Sequence, residues 1–126
     1  MPGKNLEFGK QAENAAAKFL QGLGYKLIMR NYKTKLGEID IIAENKGVIC
    51  FVEVKARHSS LFGEPEEAVS SAKQRQISKA AICYLKENNF LERPARFDVV
   101  SLLYTKDLPR IELIENAFEL NPNFSI

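Results

Sequence analysis

A mixed α/β fold, with a central β-sheet flanked by helices in the order αβββαββ, is predicted by three features of this sequence. Apolar residues recur at helical spacing in two stretches, residues 6–23 and 71–88. Five shorter stretches show strand-like apolar patterns between Gly, Asn and Pro turn signals. One of them, Val48–Arg57, is apolar on both faces near its start, as expected of a central strand covered from two sides.

The first helix rests on Phe8, Ala12, Ala15, Ala16, Phe19, Leu20 and Leu23, with Gly22 and Gly24 as its stop. Glu13 lies at the edge of that stripe, so its carboxylate should point toward the sheet or its rim. "YKLIMR" reads as a strand, "NYKTKLG" as a basic loop, and residues 38–44 as a second strand that "NKG" turns into the third. In the third strand Val48, Cys50, Val52, Val54 and Ala56 share one face; Ile49, Phe51, Glu53, Lys55 and Arg57 share the other. "HSSLFGEPEEAVS" reads as a loop with a short helical turn after Pro65. Ser70 or Ser71 then caps the second helix, which buries Ile77, Ala80, Ala81, Tyr84 and Leu85. "RFDVVSLLY" and "RIELIEN" are the fourth and fifth strands.

A chain of 126 residues is read as one domain, 1–126, and 45% hydrophobic with 27% charged residues excludes a disordered chain. No apolar run approaches the roughly 18 residues of a membrane span, and the polar start has no secretion-signal pattern, so no membrane partner and a cytoplasmic location are expected. Cys50 and Cys83 have no metal spacing and read as small core residues. A net charge of +2 is compatible with a polyanionic partner without demanding one.

The stretch "GEIDIIAENKGVICFVEVKAR" sets Asp40, Glu53 and Lys55 among isoleucines, valines and a phenylalanine. Charged groups are rarely buried without a partner or an ion. Alternation puts Glu38 with Asp40 and Glu53 with Lys55, so a suitable hairpin register gathers three carboxylates and an ammonium. Hard oxygen ligands of this kind suit Mg²⁺, which lowers the pKa of a bound water and offsets charge on a phosphate oxygen. The pattern therefore points to phosphodiester hydrolysis. Cross-strand ion pairs on a half-solvated face are the plain alternative, although Ile49 and Phe51 on the same face fit it poorly. The metal reading requires cross-strand partners whose residue numbers sum to an odd value near 93, whereas a three-residue turn would give an even register.

"GEID" followed after a short hairpin by "FVEVKAR" resembles the YraN-like family within the restriction-endonuclease-like PD-(D/E)xK nuclease superfamily and is similar to Holliday junction resolvases. The resemblance extends to Gly9 and Glu13, "GY" at Gly24, "RNY" at Arg30, Gly63 and Pro65, Lys73, and "RFDVV" from Arg96. It implies a restriction-endonuclease-like fold, metal ligation by Asp40 and Glu53, Lys55 as the catalytic lysine, and Glu13 as a further carboxylate at the metal and catalytic site. The sequence departs from the superfamily signature at Ile39, where the superfamily name has proline, a change that resolvase-like members also tolerate. The implied function is a Mg²⁺-dependent DNA endonuclease, with Mn²⁺ as a substitute. Branched or processed DNA in recombination or repair is the implied substrate, and a two-fold homodimer the implied assembly. The competing reading is a catalytically silent nucleic-acid-binding or accessory module on the same fold.

Arg57, Lys73 and Arg75, with Arg30, Lys33 and Lys35 in the early loop, are candidates for contacting phosphates beside the site, because such contacts position nucleic acid without reading its sequence. His58 follows the charged strand and is weighed as a proton-transfer aid against simple exposure. Asp98 is expected to sit in a strand as the structural partner of a basic side chain, or at the border of the site.

Overall fold

A five-stranded sheet runs through the middle of the protein, in a computed structural model that describes residues 2–58, 69–105 and 109–118, with side chains from residue 7 onward. Helix α1 (Pro2–Gly22) leads into β1 (Lys26–Lys33), β2 (Glu38–Asn45) and β3 (Val48–Arg57), after which α2 (Ser71–Glu87) precedes β4 (Ala95–Leu103) and β5 (Arg110–Phe118). The spatial order equals the chain order, and β3–β4 is the parallel pair in an otherwise antiparallel sheet. This is the predicted αβββαββ order and is consistent with a restriction-endonuclease-like fold. A parallel pair cannot be joined by a tight turn, which is why α2 lies between β3 and β4.

The central strand is covered on both faces, as its sequence requires. Cys50 and Val52 pack with Ala12, Ala16 and Leu20 of α1, while Ile49 and Phe51 pack with Ile77, Ala81 and Tyr84 of α2. Asn45↔Val48 closes the β2–β3 hairpin through Lys46 (φ 52) and Gly47 (φ 84), the two positive-φ positions of a type I′ turn. Partner numbers in this ladder sum to 93, the odd register that the metal reading requires.

Three local differences bear on the site. First, β1 continues to Lys33 where a basic loop was expected from Asn31, because Tyr32 is buried against Tyr84 and pairs with Ile39. Second, Ile39 joins the cluster under α2 although Ile41, two residues on, joins the cluster under α1. The alternation therefore slips at Asp40, beyond Ile41↔Val52, the last described pair of the ladder. Third, Glu38 leaves the expected carboxylate group: it is exposed and pairs with Lys33 of β1. Ser70 is the N-cap of α2, its hydroxyl accepting from the Lys73 N–H at 3.1 Å. The helical turn expected after Pro65 lies outside the described residues.

Gly37, just before β2, has no room for a side chain, since a Cβ would strike the Gln76 carbonyl in α2. Gly37→Ala is expected to destabilise the protein by about 1–3 kcal/mol through the forced shift between the strand and the helix, measurable by denaturant unfolding; an unchanged midpoint would contradict this packing.

Candidate active site

The hairpin and α2 bring Asp40, Glu53 and Lys73 together. Asp40 stands where β2 leaves the β3 ladder, and its Oδ2 accepts the Val54 backbone N–H at 2.8 Å, replacing a main-chain partner. Glu53, one residue beyond the last described ladder pair Ile41↔Val52, is only 6% exposed. Its Oε1 lies 3.8 Å from Lys73 Nζ, while its Oε2 is buried without a hydrogen-bond partner. Lys55 follows two residues along the same face and also acts electrostatically on Glu53.

Two negative groups cannot be buried side by side without resisting ionisation. Burial, reinforced by the Asp40 charge and opposed by Lys73 and Lys55, pushes the Glu53 carboxyl up to about 8. Asp40 is also raised, chiefly by burial with a contribution from Glu13, against the Val54 N–H and Glu53, which favour its charge. In the absence of a cation the pair therefore tends to retain a proton at neutral pH.

The sign of the resulting pH dependence follows from the Glu53 shift. A folded carboxyl raised from 4.5 to about 8 binds an extra proton between those values, so stability falls as pH rises through this window. Unfolding in EDTA at pH 5 and at pH 8.5 should show a loss on the order of 1–3 kcal/mol. Glu53→Gln should flatten most of that slope, and parallel curves for the two proteins would refute the assignment.

Glu13 comes to the rim of this pair but is otherwise engaged. Its Oε1 accepts from Arg30 Nε and Asn31 Nδ2, both at 3.0 Å, and Arg30 also donates to Asn14 at 2.7 Å. Among the described residues no group of three His, Cys, Asp or Glu side chains is poised to hold a metal ion. Two carboxylates nevertheless suit Mg²⁺, which usually keeps several waters and takes one or two protein carboxylates. The orphaned Oε2 of Glu53 and the Asp40 carboxylate are donors of the required kind.

The remaining candidates separate clearly. Lys73, expected among phosphate contacts, reaches Glu53 directly. Lys33 and Lys35 are exposed around the β1–β2 turn, Arg75 is exposed on α2, and Arg57 is partly buried at the end of β3. Arg30 serves Glu13. His58 stacks on Phe8 at 4.4 Å between ring centres. Asp98 is fully buried and accepts from Arg96 Nε, the Tyr25 hydroxyl and the Asn116 N–H, the structural role expected of it. Asn31 was not singled out by sequence reasoning. Its positive φ of 54 suits asparagine and aims its amide at Glu13, and the polar "RN" before a buried tyrosine is the signal that could have found it.

Comparison with known proteins places these residues in a family context. A model described as "Uncharacterised protein family UPF0102" matches residues 12–102, which include every candidate site residue named above, from Glu13 to Asp98. A UPF0102 protein of Geobacter metallireducens is 47% identical over 116 residues, covering 92% of this chain and 95% of the relative. One of Desulfosudis oleivorans is 45% identical over 121 residues, covering 96% and 97%. One of Myxococcus xanthus is 37% identical over 118 residues, covering 94% of each. Among the described residues no helix is long and apolar enough to cross a membrane.

Proposed function

The chain belongs to the UPF0102 family, and from its site we propose that it is a metal-dependent DNA endonuclease of the restriction-endonuclease-like PD-(D/E)xK kind, acting on branched or processed DNA in recombination or repair. The observation that carries this reading is the pair of half-buried Asp40 and buried Glu53 at the end of the hairpin ladder, with an unpartnered carboxylate oxygen and two lysines beside it. A pair of acids that resists ionisation is a poor stabilising device and a good candidate for function.

Asp40 and Glu53 would hold Mg²⁺ or Mn²⁺, with Glu13 near enough to act on Asp40 electrostatically. Such an ion supplies an activated water and offsets charge on the cleaved phosphate. The chain's own residues do the rest. The Val54 N–H fixes one oxygen of Asp40, β3 holds Glu53 rigidly, and Lys55 places an ammonium beside the attacked phosphate, where it orients water and shares developing charge. Cation binding must displace the proton retained by the pair, so affinity for the ion rises with pH.

The silent-module reading draws on one observation: Glu13 is already committed to Arg30 and Asn31. Labelled linear, flapped and four-way DNA incubated with Mg²⁺ or Mn²⁺ tests both. Metal-dependent cleavage supports the endonuclease; binding to all three without cleavage supports the silent module. A two-fold dimer belongs to the resolvase form of the proposal, and sedimentation as a monomer with and without DNA would count against symmetric resolution.

A further inference from the structure

The turn between β1 and β2 lies against the beginning of α2, and between them opens a cleft of about 330 Å³. Lys33, Lys35 and Lys73 border it with Thr34 and Gln76, and Glu38 is the acidic side chain among its described lining. The turn is held firmly: the Thr34 N–H donates to Gly37 O at 2.8 Å, and Thr34 Oγ1 accepts from the Leu36 and Gly37 N–H groups at 3.0 and 3.1 Å. Gly37 rests against Gln76 with no space for a Cβ, which fixes the turn relative to the helix. The site is therefore a shallow, open depression on a well-held turn, with an excess of positive charge suited to an oxyanion such as a phosphate diester.

Lys73 belongs to both this cleft and the carboxylate pair. Its backbone is pinned by the Ser70 cap, while its side chain, 36% exposed, makes a loose 3.8 Å ion pair with Glu53. A divalent ion held by Asp40 and the free Glu53 Oε2 would offset the carboxylate charge that attracts Lys73 and would repel the ammonium beside Oε1. The flexible four-carbon stem allows that ammonium to turn away without moving the helix.

We propose that this cleft binds a backbone phosphate of DNA, and that Lys73 leaves Glu53 to join Lys33 and Lys35 there when a divalent cation takes its place. The proposal rests on the reading of Asp40 and Glu53 as a cation site. Cation and DNA then favour each other's binding through one side chain, and by linkage the effect is reciprocal.

The test measures binding of a labelled duplex at several salt concentrations, in EDTA and in Ca²⁺, with the DNA checked to be intact. It uses wild type, Lys73→Met and the double variant Lys33→Met/Lys35→Met, with calorimetry of Ca²⁺ binding in the absence of DNA. In Ca²⁺ the wild-type log–log salt slope should steepen by about one phosphate contact relative to EDTA. Lys73→Met should lack the Ca²⁺ increment in slope, and its loss of DNA affinity relative to wild type should be about fivefold or more greater in Ca²⁺ than in EDTA. It should also bind Ca²⁺ alone several-fold more tightly. The double variant should lose affinity in both conditions yet keep the increment. An equal increment in wild type and Lys73→Met would overturn the inference alone, whether or not Mg²⁺ supports cleavage. A wild type that binds no Ca²⁺, Mg²⁺ or Mn²⁺ would overturn the cation site as well.

Discussion

Asp40→Asn is expected to lower Mg²⁺-dependent cleavage by about a hundredfold or more while leaving the fold and DNA binding intact. Asparagine keeps the shape and one oxygen, so the Val54 N–H still has its acceptor. What is lost is a full negative charge on a ligand for a hard cation. Removing that charge also relieves repulsion with Glu53 and Glu13, so stability in EDTA should be equal or higher. With less negative charge facing the phosphates, DNA affinity in EDTA should be unchanged or higher. If the acids served merely as ion-pair partners, the same change would modestly destabilise the protein and touch no metal-dependent activity. Cleavage rate, melting temperature and DNA affinity measured on this variant separate the two accounts, and normal cleavage would eliminate Asp40 as an essential ligand.

Asp98→Ala is expected to give a stability loss of about 3–5 kcal/mol, a large share of the roughly 5–15 kcal/mol that holds a domain together. The carboxylate is fully buried, with Arg96 Nε at 3.1 Å from both oxygens, the Tyr25 hydroxyl at 3.2 Å and the Asn116 N–H at 3.0 Å. Without it, a largely buried guanidinium and a main-chain N–H lose their acceptor. Tyr25 keeps one partner, because Arg96 also donates to its hydroxyl at 2.7 Å. Asp98→Asn retains the shape and one acceptor and should lose less. Denaturant unfolding of both variants checks the order, and a change below about 0.5 kcal/mol for Asp98→Ala, the range of an ordinary surface substitution, would contradict the network.

The elements governed by local pattern were legible in the sequence. Strand three announced its two buried faces, "NKG" its turn, and the odd register followed from requiring Asp40 and Glu53 to meet. What escaped depends on contacts between distant segments. The slip of alternation at Asp40 needs β2 to part from β3, and the departure of Glu38 needs β1 to extend as far as Lys33. Neither is encoded in a period of two. Lys73 was legible as a cation but not as the partner of Glu53, because the separation of 20 residues crosses the β3–α2 connection. The positive-φ asparagines of the two edge strands were similarly hidden. Asn31 and Asn116 each adopt φ 54, and each is tied by a carboxylate, Glu13 in one case and Asp98 in the other. Asparagine tolerates that backbone, yet only the fold reveals which acid lies opposite.

The hydrogen bond from Val54 to Asp40 turns one backbone amide into a reporter. Its proton is held by a carboxylate rather than by a neighbouring strand's carbonyl. Its nuclear magnetic resonance frequency should therefore follow the charge on the acid pair, while amides deeper in the same ladder, such as that of Cys50, stay nearly constant. Hydrogen exchange at Val54 likewise monitors local opening at the point where β2 parts from β3, separately from unfolding of the whole sheet. A single ¹⁵N-labelled sample, titrated first with acid and then with a divalent ion, would read the state of the site directly, with no DNA present and no reaction to follow.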